Sequence, residues 1–270
     1  MIRGTRRRLA VAVVAAVATA GIAAGCGGGD GGSNDLGLIN SGTLLVGSDI
    51  PYPPFESGNS PSNYKGYDID IVNEVAKRLD VTAEYKDTSF DTIFRDLAQG
   101  KFDMVASATT ITPERQKEVS FSRGYYETDQ SLTVTDGSDI KSVDDLPGKT
   151  VGAQKGTTGA DFAQNETDAA SVRTYGEVDD AFNALEAGTV DAVINDFSSS
   201  QDAVNSKPGL VIAQKIVTKE VYGLAFNKDN ETLLNKVNDA LDAMVADGTF
   251  TTIYKKWFHQ APPKTVLNAS

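Results

Sequence analysis

The chain has 270 residues, of which 37 are acidic and 25 are lysine or arginine, and its formal net charge is −12. An acidic chain without a basic patch or run is not expected to bind nucleic acid. The single cysteine and single histidine leave no clustered ligand set for zinc, and no Ser-His or Cys-His pair stands in a recognisable context. We therefore expect no metal and no other cofactor.

The N-terminus has the pattern of a secretory signal peptide, which we assign to residues 1–25. Arg3 and the arginines at 6–8 precede "LAVAVVAAVATAGIAAG", an apolar stretch that ends in small residues. The segment "TRRRL" resembles a twin-arginine export signal only loosely. Removal of the signal takes away four arginines and no acidic residue, so the formal net charge falls from −12 to −16.

Cys26 follows the apolar stretch directly, in "AAGC". A lone cysteine in an exported chain cannot form an internal disulfide. The segment resembles the bacterial lipoprotein processing signal, in which this cysteine becomes the lipidated N-terminus, but Ala23 stands where leucine is usual. Ordinary cleavage nearby and an uncleaved anchor helix are the alternatives. Residues 26–35 are thus expected to be a lipidated cysteine and the flexible tether "GGGDGGSND", which hold the body at the outer face of the cell membrane.

The body after the tether, roughly 235 residues, is larger than most single hydrophobic cores, so we expect two lobes. Helices with apolar faces alternate with short apolar strands, which is typical of α/β units with mostly parallel sheets. A last short helix is predicted over "TFTTIYKKWF". The apolar faces, which we assign to the core, contain Ile69, Val72, Val75, Ala76 and Leu79; Ile93, Phe94, Leu97 and Ala98; Val178, Ala181, Phe182 and Leu185; and Leu233, Leu234, Val237, Leu241, Met244 and Val245.

An internal repeat links the two halves of the body. The segments "LAQGKFDMVASATT" and "LEAGTVDAVINDFS" each contain an amphipathic helix that ends before a glycine, Gly100 or Gly188. An aspartate follows three residues later, Asp103 or Asp191, and then an apolar strand with a polar exit. A second pair, "LLVGSDIPYPPF" and "TVGAQKGTTG", shares a strand, a glycine and a polar loop. The repeat predicts two lobes of similar topology.

Four predicted strands end in polar segments: "SDIPYPPF", "SATTITPER", "AQKGTTG" and "NDFSSS". Ligands of open α/β sheets bind outside the carboxyl ends of the strands, so we expect the site there. Two of these segments lead into predicted helices, whose unpaired first amides favour anions. Thr112 and Pro113 suit the start of one of these helices.

Arg115 follows in the first helical turn, where a cation is normally unfavourable. Its guanidinium can bind a carboxylate through two parallel hydrogen bonds, and Asp196 at another strand exit can accept an ammonium group. Together they predict a site for the head of an α-amino acid. Structural alternatives exist for each residue. Arg115 can pair with Glu118, Asp196 can cap the next helix, and "KGTTG" can be an ordinary capping turn. Tyr52 and Phe90 can be core aromatics.

Residues from about 44 to 258 resemble the extracellular solute-binding proteins of polar amino acid ABC transporters, solute-binding family 3. The matching stretches, in order, are "YPPFE", "GYDIDIVNEVAKRL", "TSFDTIF", "TITPERQKEVSFS", "VGAQKGTTG", "VDAVIND", "YGLAFNK" and "DGTFTTIYKKWF". The resemblance implies an α/β, periplasmic-binding-protein-like fold of type II, with two lobes joined by a two-strand hinge. The first lobe would comprise residues 36–125 and 222–270, and the second 126–221.

The resemblance also implies how the head of the amino acid is bound. Arg115 would bind its carboxylate together with the amides of Thr110 and Thr158. Asp196 would bind its ammonium group together with the Ala108 carbonyl and the Thr110 hydroxyl. Ala108 departs from the glycine or serine that the family usually has, but a backbone carbonyl survives that change.

The ligand side chain would lie between Tyr52 and Phe90, with Asp49 and Gln154 at its far end. Asp49 favours a donor there, so arginine and glutamine are preferred over lysine and histidine, and glutamate ranks lower. If Asp49 instead holds its own loop, this ranking fails. His259, where the family often has glycine, is expected at the surface outside the site.

By the same resemblance the chain is the extracytoplasmic binding component of an ABC transporter and not an enzyme. It would close over an amino acid as a monomer and deliver it to a membrane permease. One alternative is a periplasmic dehydratase on the same fold, which would need a general acid or base such as Asp49, Glu56 or Asp196. Another is an amino-acid sensor domain, which would need a transmembrane helix and further domains.

Overall fold

The computed structural model describes residues 36–269. The predicted signal peptide, the lipidation of Cys26 and the tether concern residues 1–35 and lie outside the described residues. The strands are β1 (Thr43–Ser48), β2 (Thr82–Asp87), β3 (Met104–Val105), β4 (Ser120–Phe121), β5 (Tyr126–Thr135), β6 (Thr150–Gln154), β7 (Ser171–Tyr175), β8 (Ala192–Asp196), β9 (Leu210–Tyr222) and β10 (Ala225–Phe226). The helices are α1 (Tyr67–Arg78), α2 (Ile93–Ala98), α3 (Arg115–Glu118), α4 (Thr158–Asn165), α5 (Val178–Glu186), α6 (Phe197–Ser206), α7 (Glu231–Asp247), α8 (Thr249–Phe258) and α9 (Lys264–Leu267), with 3₁₀ turns at Phe90–Thr92 and Val143–Asp145.

The described strands form two five-stranded sheets of the same topology. Their orders are β2-β1-β3-β10-β4 and β7-β6-β8-β5-β9. In each sheet the first three strands are parallel and the fourth is antiparallel to both neighbours. The two-lobe α/β fold of type II is confirmed, with β5 and β9 as the strands of the hinge.

Each sheet contains both parallel and antiparallel pairs of strands. In this respect the expectation of mostly parallel sheets is wrong. The chain passes from β4 straight into β5 and returns from β9 straight into β10. Each passage joins strands of different sheets, and the four strands at its ends make only antiparallel pairs within their own sheets.

The two aspartates of the internal repeat make equivalent hydrogen bonds in the two sheets. The Asp103 carboxylate accepts hydrogen bonds from the amides of Ile39 and Leu45, at 2.8 and 2.7 Å. The Asp191 carboxylate accepts one from the amide of Thr150 at 2.7 Å. Each aspartate thus ties the start of its own strand to the neighbouring parallel strand. The glycines of the repeat have φ angles of 73° at residue 100 and 68° at residue 188, as expected just after a helix.

The predicted apolar faces lie in or against the core, except that Ala98 is exposed at the end of α2, where the prediction is wrong. Along α1 the buried side chains include Ile71, Val72 and Val75, and α7 ends at a left-handed Gly248. An aromatic cluster fills the region where the chain passes between the sheets; it contains Phe55, Tyr67, Tyr125, Tyr126, Tyr222 and Phe258. Among residues 36–269, no helix combines the length and hydrophobicity needed to cross a bilayer.

Gly66 brings the loop before α1 into close contact with the helix start. The amides of Tyr67 and Asp68 donate to the carbonyls of Pro54 and Phe55, each at 3.0 Å. The φ angle of Gly66 is 153°, and a Cβ there would lie 1.8 Å from the Phe55 carbonyl oxygen. This packing holds the "YPPFE" loop, which carries Tyr52, against α1.

We expect Gly66→Ala to lower the free energy of unfolding by about 3 kcal/mol, because backbone atoms must move to admit the methyl group. Gly100→Ala is the matched control. It also has a positive φ, but no atom lies within 4 Å of its Cβ position, so only the backbone penalty of about 1 kcal/mol applies. Urea denaturation of both variants measures the difference, and equal losses would contradict the close contact.

Candidate functional site

One cavity lies where the polar ends of strands from both sheets meet. It has a volume of about 20 Å³ and is lined by Asp49, Tyr52, Phe90, Ser107, Ala108, Thr110, Arg115, Gln154, Thr157, Thr158 and Asp196. The structure thus brings together all nine residues that the sequence singled out for the site, with Ser107 and Thr157 in addition. A volume of about 20 Å³ has room for about one water molecule, so an amino acid can enter only when the surrounding side chains or lobes move apart.

Arg115 is held by backbone carbonyls from both lobes. Its Nη1 donates to the Thr110 carbonyl at 2.8 Å and its Nη2 to the Gly156 carbonyl at 3.1 Å. The guanidinium carbon lies 5.3 Å from the centre of the Phe90 ring. Burial lowers the pKa of Arg115, and the nearby carboxylates, Asp196 first among them, oppose that change. The ion pair with Glu118, the structural alternative, is not formed among the described residues.

The helix that carries Arg115 is shorter than the sequence suggested. Thr112 does cap it, since its hydroxyl accepts from the Arg115 amide at 3.2 Å. The helix α3, however, comprises only four residues. A single turn has little aligned dipole, so α3 adds less to anion binding than the sequence suggested. The second helix start belongs to α4, where the Thr157 hydroxyl accepts from the Ala160 amide at 3.1 Å, as a capping turn does.

Asp196 is a buried acceptor between the two sheets. Its Oδ2 accepts from the Tyr52 hydroxyl at 2.9 Å and from the Tyr222 hydroxyl, and its Oδ1 accepts from the Gln130 amide. The side chain makes no capping bond to α6, so the alternative role as a helix cap does not apply. Burial and the charge of Glu220 raise the pKa of Asp196 to about 6, against the three hydrogen bonds.

Glu220, near the end of β9, organises the hydroxyl groups beside Asp196. Its Oε2 accepts from the hydroxyls of Thr110 and Thr158, both at 2.7 Å. Its Oε1 accepts from the Gln130 amide at 2.7 Å and from the Thr218 hydroxyl at 3.0 Å. Because both threonine hydroxyls donate to Glu220, their lone pairs remain available to a ligand donor.

Asp49 marks the opposite end of the cavity. It is 98% buried, with only 2% of its surface exposed, and its Oδ2 accepts from the Gln154 amide at 2.6 Å. The same amide nitrogen donates to the Gly176 carbonyl at 2.9 Å. Burial, followed by the charge of Glu177, raises the pKa of Asp49 to about 7, whereas hydrogen bonds from Gln154 and Phe90 act in the other direction. The carboxylate therefore bonds across the cleft and does more than hold its own loop.

A second pair of buried carboxyl groups supports the wall of the cavity. The Ser107 hydroxyl donates to Glu56 at 2.8 Å, and the Ala108 amide donates to Asp68 at 2.8 Å. Burial raises the pKa of Glu56 well above its usual range and that of Asp68 to about 7. Ala108 has a φ of 46°, in the left-handed region, where a side chain is strained and glycine is favoured.

The geometry agrees with what comparison of sequences and structures finds. The sequence profile of the bacterial extracellular solute-binding proteins, family 3, matches residues 44–174 and 159–260. The chain belongs to this family.

Three relatives of this solute-binding protein illustrate the range of the family. The ABC transporter arginine-binding protein 1 of Escherichia coli (strain K12) is 34% identical over 222 residues, which cover 80% of this chain and 91% of that protein. An ancestral arginine-binding protein bound to glutamine is 39% identical, with a TM-score of 0.79 over 82% of this chain and 100% of that one. An ancestral amino acid-binding protein described as a precursor of cyclohexadienyl dehydratase is 38% identical, with a TM-score of 0.74 over 80% and 96%.

Sequence reasoning missed Glu220, Gln130 and Tyr222 of this solute-binding protein. All three lie on the strands that pass between the sheets. Tyr222 opens the stretch "YGLAFNK" but was not assigned to the site, and no motif marks Glu220 or Gln130. Alternation along a strand shows which side chains share a face, but it does not show which of them reaches the cleft. Ser107 and Thr157 lie within the polar segments "SATTITPER" and "AQKGTTG", so the sequence already placed both at strand exits. His259 is exposed, as expected, and its φ of 56° lies in the left-handed region that favours glycine.

The buried carboxyl groups of this solute-binding protein predict a stability that falls as pH rises. The pKa values of Asp49 and Asp68 are raised to about 7 and that of Asp196 to about 6, from an ordinary value of 3.8. Since the folded state binds more protons than the unfolded state between about pH 4 and 7, these groups stabilise fully below pH 4 and lose that contribution as pH approaches 7. We expect the ligand-free protein to need less urea for unfolding at pH 7.5 than at pH 5.5. Asp68→Asn should flatten this dependence; an unchanged slope would contradict the assignment to Asp68.

Proposed function

We propose that this protein is the extracytoplasmic substrate-binding component of an ABC transporter for polar amino acids. The observation that carries the proposal is the position of Arg115 and Asp196 in one cavity, each supplied by a different lobe. A guanidinium suits the carboxylate of an amino acid and a buried carboxylate suits its ammonium group. Family membership supports the same function.

The head of the amino acid would bind at the end of the cavity where these two residues lie. Arg115 would bind the carboxylate, with help from the amides of Thr110 and Thr158. Asp196 would accept from the ammonium group, together with the Ala108 carbonyl and the Thr110 hydroxyl. The bond from that hydroxyl to Glu220 supports this role, because it leaves the hydroxyl oxygen free to accept.

The side chain of the ligand would extend between two aromatic residues to the buried carboxylate. Tyr52 and Phe90 both line the cavity, and the Tyr52 ring is held in place by its bonds to Asp196 and Asn195. Asp49 and Gln154 would meet the far end. Arginine and glutamine are the ligands we favour. Among the relatives described above, one is an arginine-binding protein and another was solved with glutamine bound.

Transport would follow from closure of the lobes. An amino acid that contacts Arg115 in one lobe and Asp196 in the other stabilises the closed form over the open one. We propose that the lobes comprise residues 36–125 with 222–270 and residues 126–221, that the protein acts as a monomer, and that a membrane permease recognises the closed form. We further propose export by residues 1–25 and lipid anchoring at Cys26.

A dehydratase is the second candidate, because one structural relative is described as the precursor of such an enzyme. It would require a general acid or base that reaches the ligand. Glu56 is fully buried, bonds to Ser107 and does not line the cavity. Asp196 is occupied by three donors, and Asp49 is bonded to Gln154. These bonds favour binding over catalysis.

A thermal-shift screen of protein that starts at Asp35, after partial unfolding and dialysis to remove bound ligand, tests the function. At a ligand concentration a thousandfold above the dissociation constant, linkage adds about 4 kcal/mol to the free energy of unfolding. We expect a large rise in melting temperature with arginine or glutamine and little with glutamate. A panel of common amino acids, with cystine and ornithine, that produces no shift would contradict the proposal, as would conversion of a bound compound to product.

Arg115→Ala tests the carboxylate clamp. Loss of a desolvated charged partner should weaken amino-acid binding by about 2–5 kcal/mol, and Arg115→Lys should restore only part of it because lysine lacks the planar fork. Arg95→Ala is the control, since Arg95 is largely exposed and makes only a long ion pair with Asp96. Isothermal titration calorimetry measures the affinities, and an unchanged affinity in Arg115→Ala would refute the clamp.

A further inference from the structure

The pairing of the two hinge strands is interrupted by a bulge in β9. Thr128 of β5 is paired with Glu220 of β9. Two residues further along β5, Gln130 is paired with Ile216, so residues 217–219 of β9 form the bulge. A bulge disrupts the ladder locally and bends its strand. The connection between the two strands is therefore weakest at this point of the hinge.

Glu220 directly follows the bulge, and its carboxylate accepts hydrogen bonds from both sides of it. The Thr110 hydroxyl donates from the segment after β3 of the first sheet, at 2.7 Å. The Thr158 hydroxyl donates from the start of α4, which follows β6 of the second sheet, also at 2.7 Å. Gln130 and Thr218 donate to the other carboxylate oxygen. A carboxylate has about four acceptor sites, so the structure uses all of them.

The bond from Thr158 is the one that joins α4 to the hinge. Thr110 forms a β-bridge with Tyr222, so it is already attached to the end of β9 that carries Glu220. The helix α4, in contrast, packs against β6 and β8 of the second sheet. If the sheets move apart by bending at the bulge, the distance between Thr158 and Glu220 increases, whereas Thr110 stays beside Glu220.

The bond between Thr158 and Glu220 lies behind the amino-acid site. Glu220 does not line the cavity, and the proposed binding of the ligand carboxylate uses only the amide of Thr158. Arg115, Tyr52 and Gln154 also donate across the cleft, but their side chains line the cavity, so a ligand competes for these bonds. The bond to Glu220 can therefore persist whether the cavity is empty or occupied.

We propose that Glu220 is a positioning residue that joins α4 to the hinge across the bulge and thereby stabilises the closed form, both empty and occupied. The expected effect on affinity rests on the proposed function, whereas the effect on the empty protein does not. A ligand bound in the closed form binds more weakly when closure is less favourable. Because Glu220 does not touch the ligand, arginine and glutamine should lose affinity by the same factor.

Thr158→Val and Glu220→Gln break this bond in two different ways. Thr158→Val removes the hydroxyl but keeps the shape of the side chain and the amide at the start of α4. Glu220→Gln leaves a single amide oxygen, which has half the acceptor sites of a carboxylate. Glu127→Gln is the matched control. Glu127 lies on the other hinge strand, where it is paired with Val221, and it lines a different cavity.

Small-angle X-ray scattering of the empty protein, prepared as for the thermal-shift screen, measures closure. We expect a larger radius of gyration for Thr158→Val and for Glu220→Gln than for the unaltered protein, and no change for Glu127→Gln. Calorimetry with arginine and with glutamine measures affinity. Glu220→Gln should weaken both about tenfold and Thr158→Val about threefold. The double variant should bind about as weakly as Glu220→Gln alone, because both changes break the same bond.

Each other result overturns a stated part of the inference. Unequal losses for arginine and glutamine would show that Glu220 acts on the ligand itself. A lower melting temperature with unchanged radius and affinity would leave Glu220 a role in stability alone, and losses that add in the double variant would contradict the shared bond. If Glu220→Gln does not fold, Thr158→Val decides by the same two measurements. If the unaltered protein binds no amino acid, the proposed function fails, and the radius of gyration of the empty protein still decides the inference.

Discussion

The Asp196 carboxylate receives hydrogen bonds from both halves of the molecule, and the rest of the site depends on this arrangement. Tyr52 reaches it from the loop after β1, and Gln130 and Tyr222 reach it from the two strands of the hinge. A buried carboxylate is tolerated only when donors surround it. Because the Asp196 carboxylate needs these donors, a loop of the first lobe, the second sheet and the hinge all meet at this residue.

The cleft as a whole carries more negative than positive charge, which is unusual for buried surface. Arg115 is the one basic side chain among the residues that line the described cavity, against Asp49 and Asp196 in the lining and Glu177 and Glu220 behind it. The raised pKa values of Asp49 and Asp196 record the cost of that imbalance. A site that closes over its ligand can tolerate this excess of negative charge, because the bound ligand relieves the repulsion.

Much of the fold could be predicted from the sequence, and the reasons are local. The predictions of helices such as α1 and α7 are confirmed because apolar residues recur there at the helical period. The two aspartates of the internal repeat could be matched because each follows a helix-ending glycine at the same spacing. The antiparallel strands and the single-turn length of α3 could not be predicted, since both depend on where the chain passes between sheets. The nine site residues were found because they lie in polar segments at strand ends, whereas Glu220 and Gln130 lie within long strands that show no comparable signal.

The sequence by itself determined the two similar α/β lobes, the polar strand exits and the residue types available to bind an amino acid, because these follow from periodicity and from the chemistry of single side chains. Only the tertiary structure decided that Thr110 and Thr158 share a carboxylate from β9, and that Asp49 bonds to Gln154 across the cleft. Those partners are far apart in the chain. Their contacts depend on how the two sheets and their loops pack around one cavity, which no local pattern encodes.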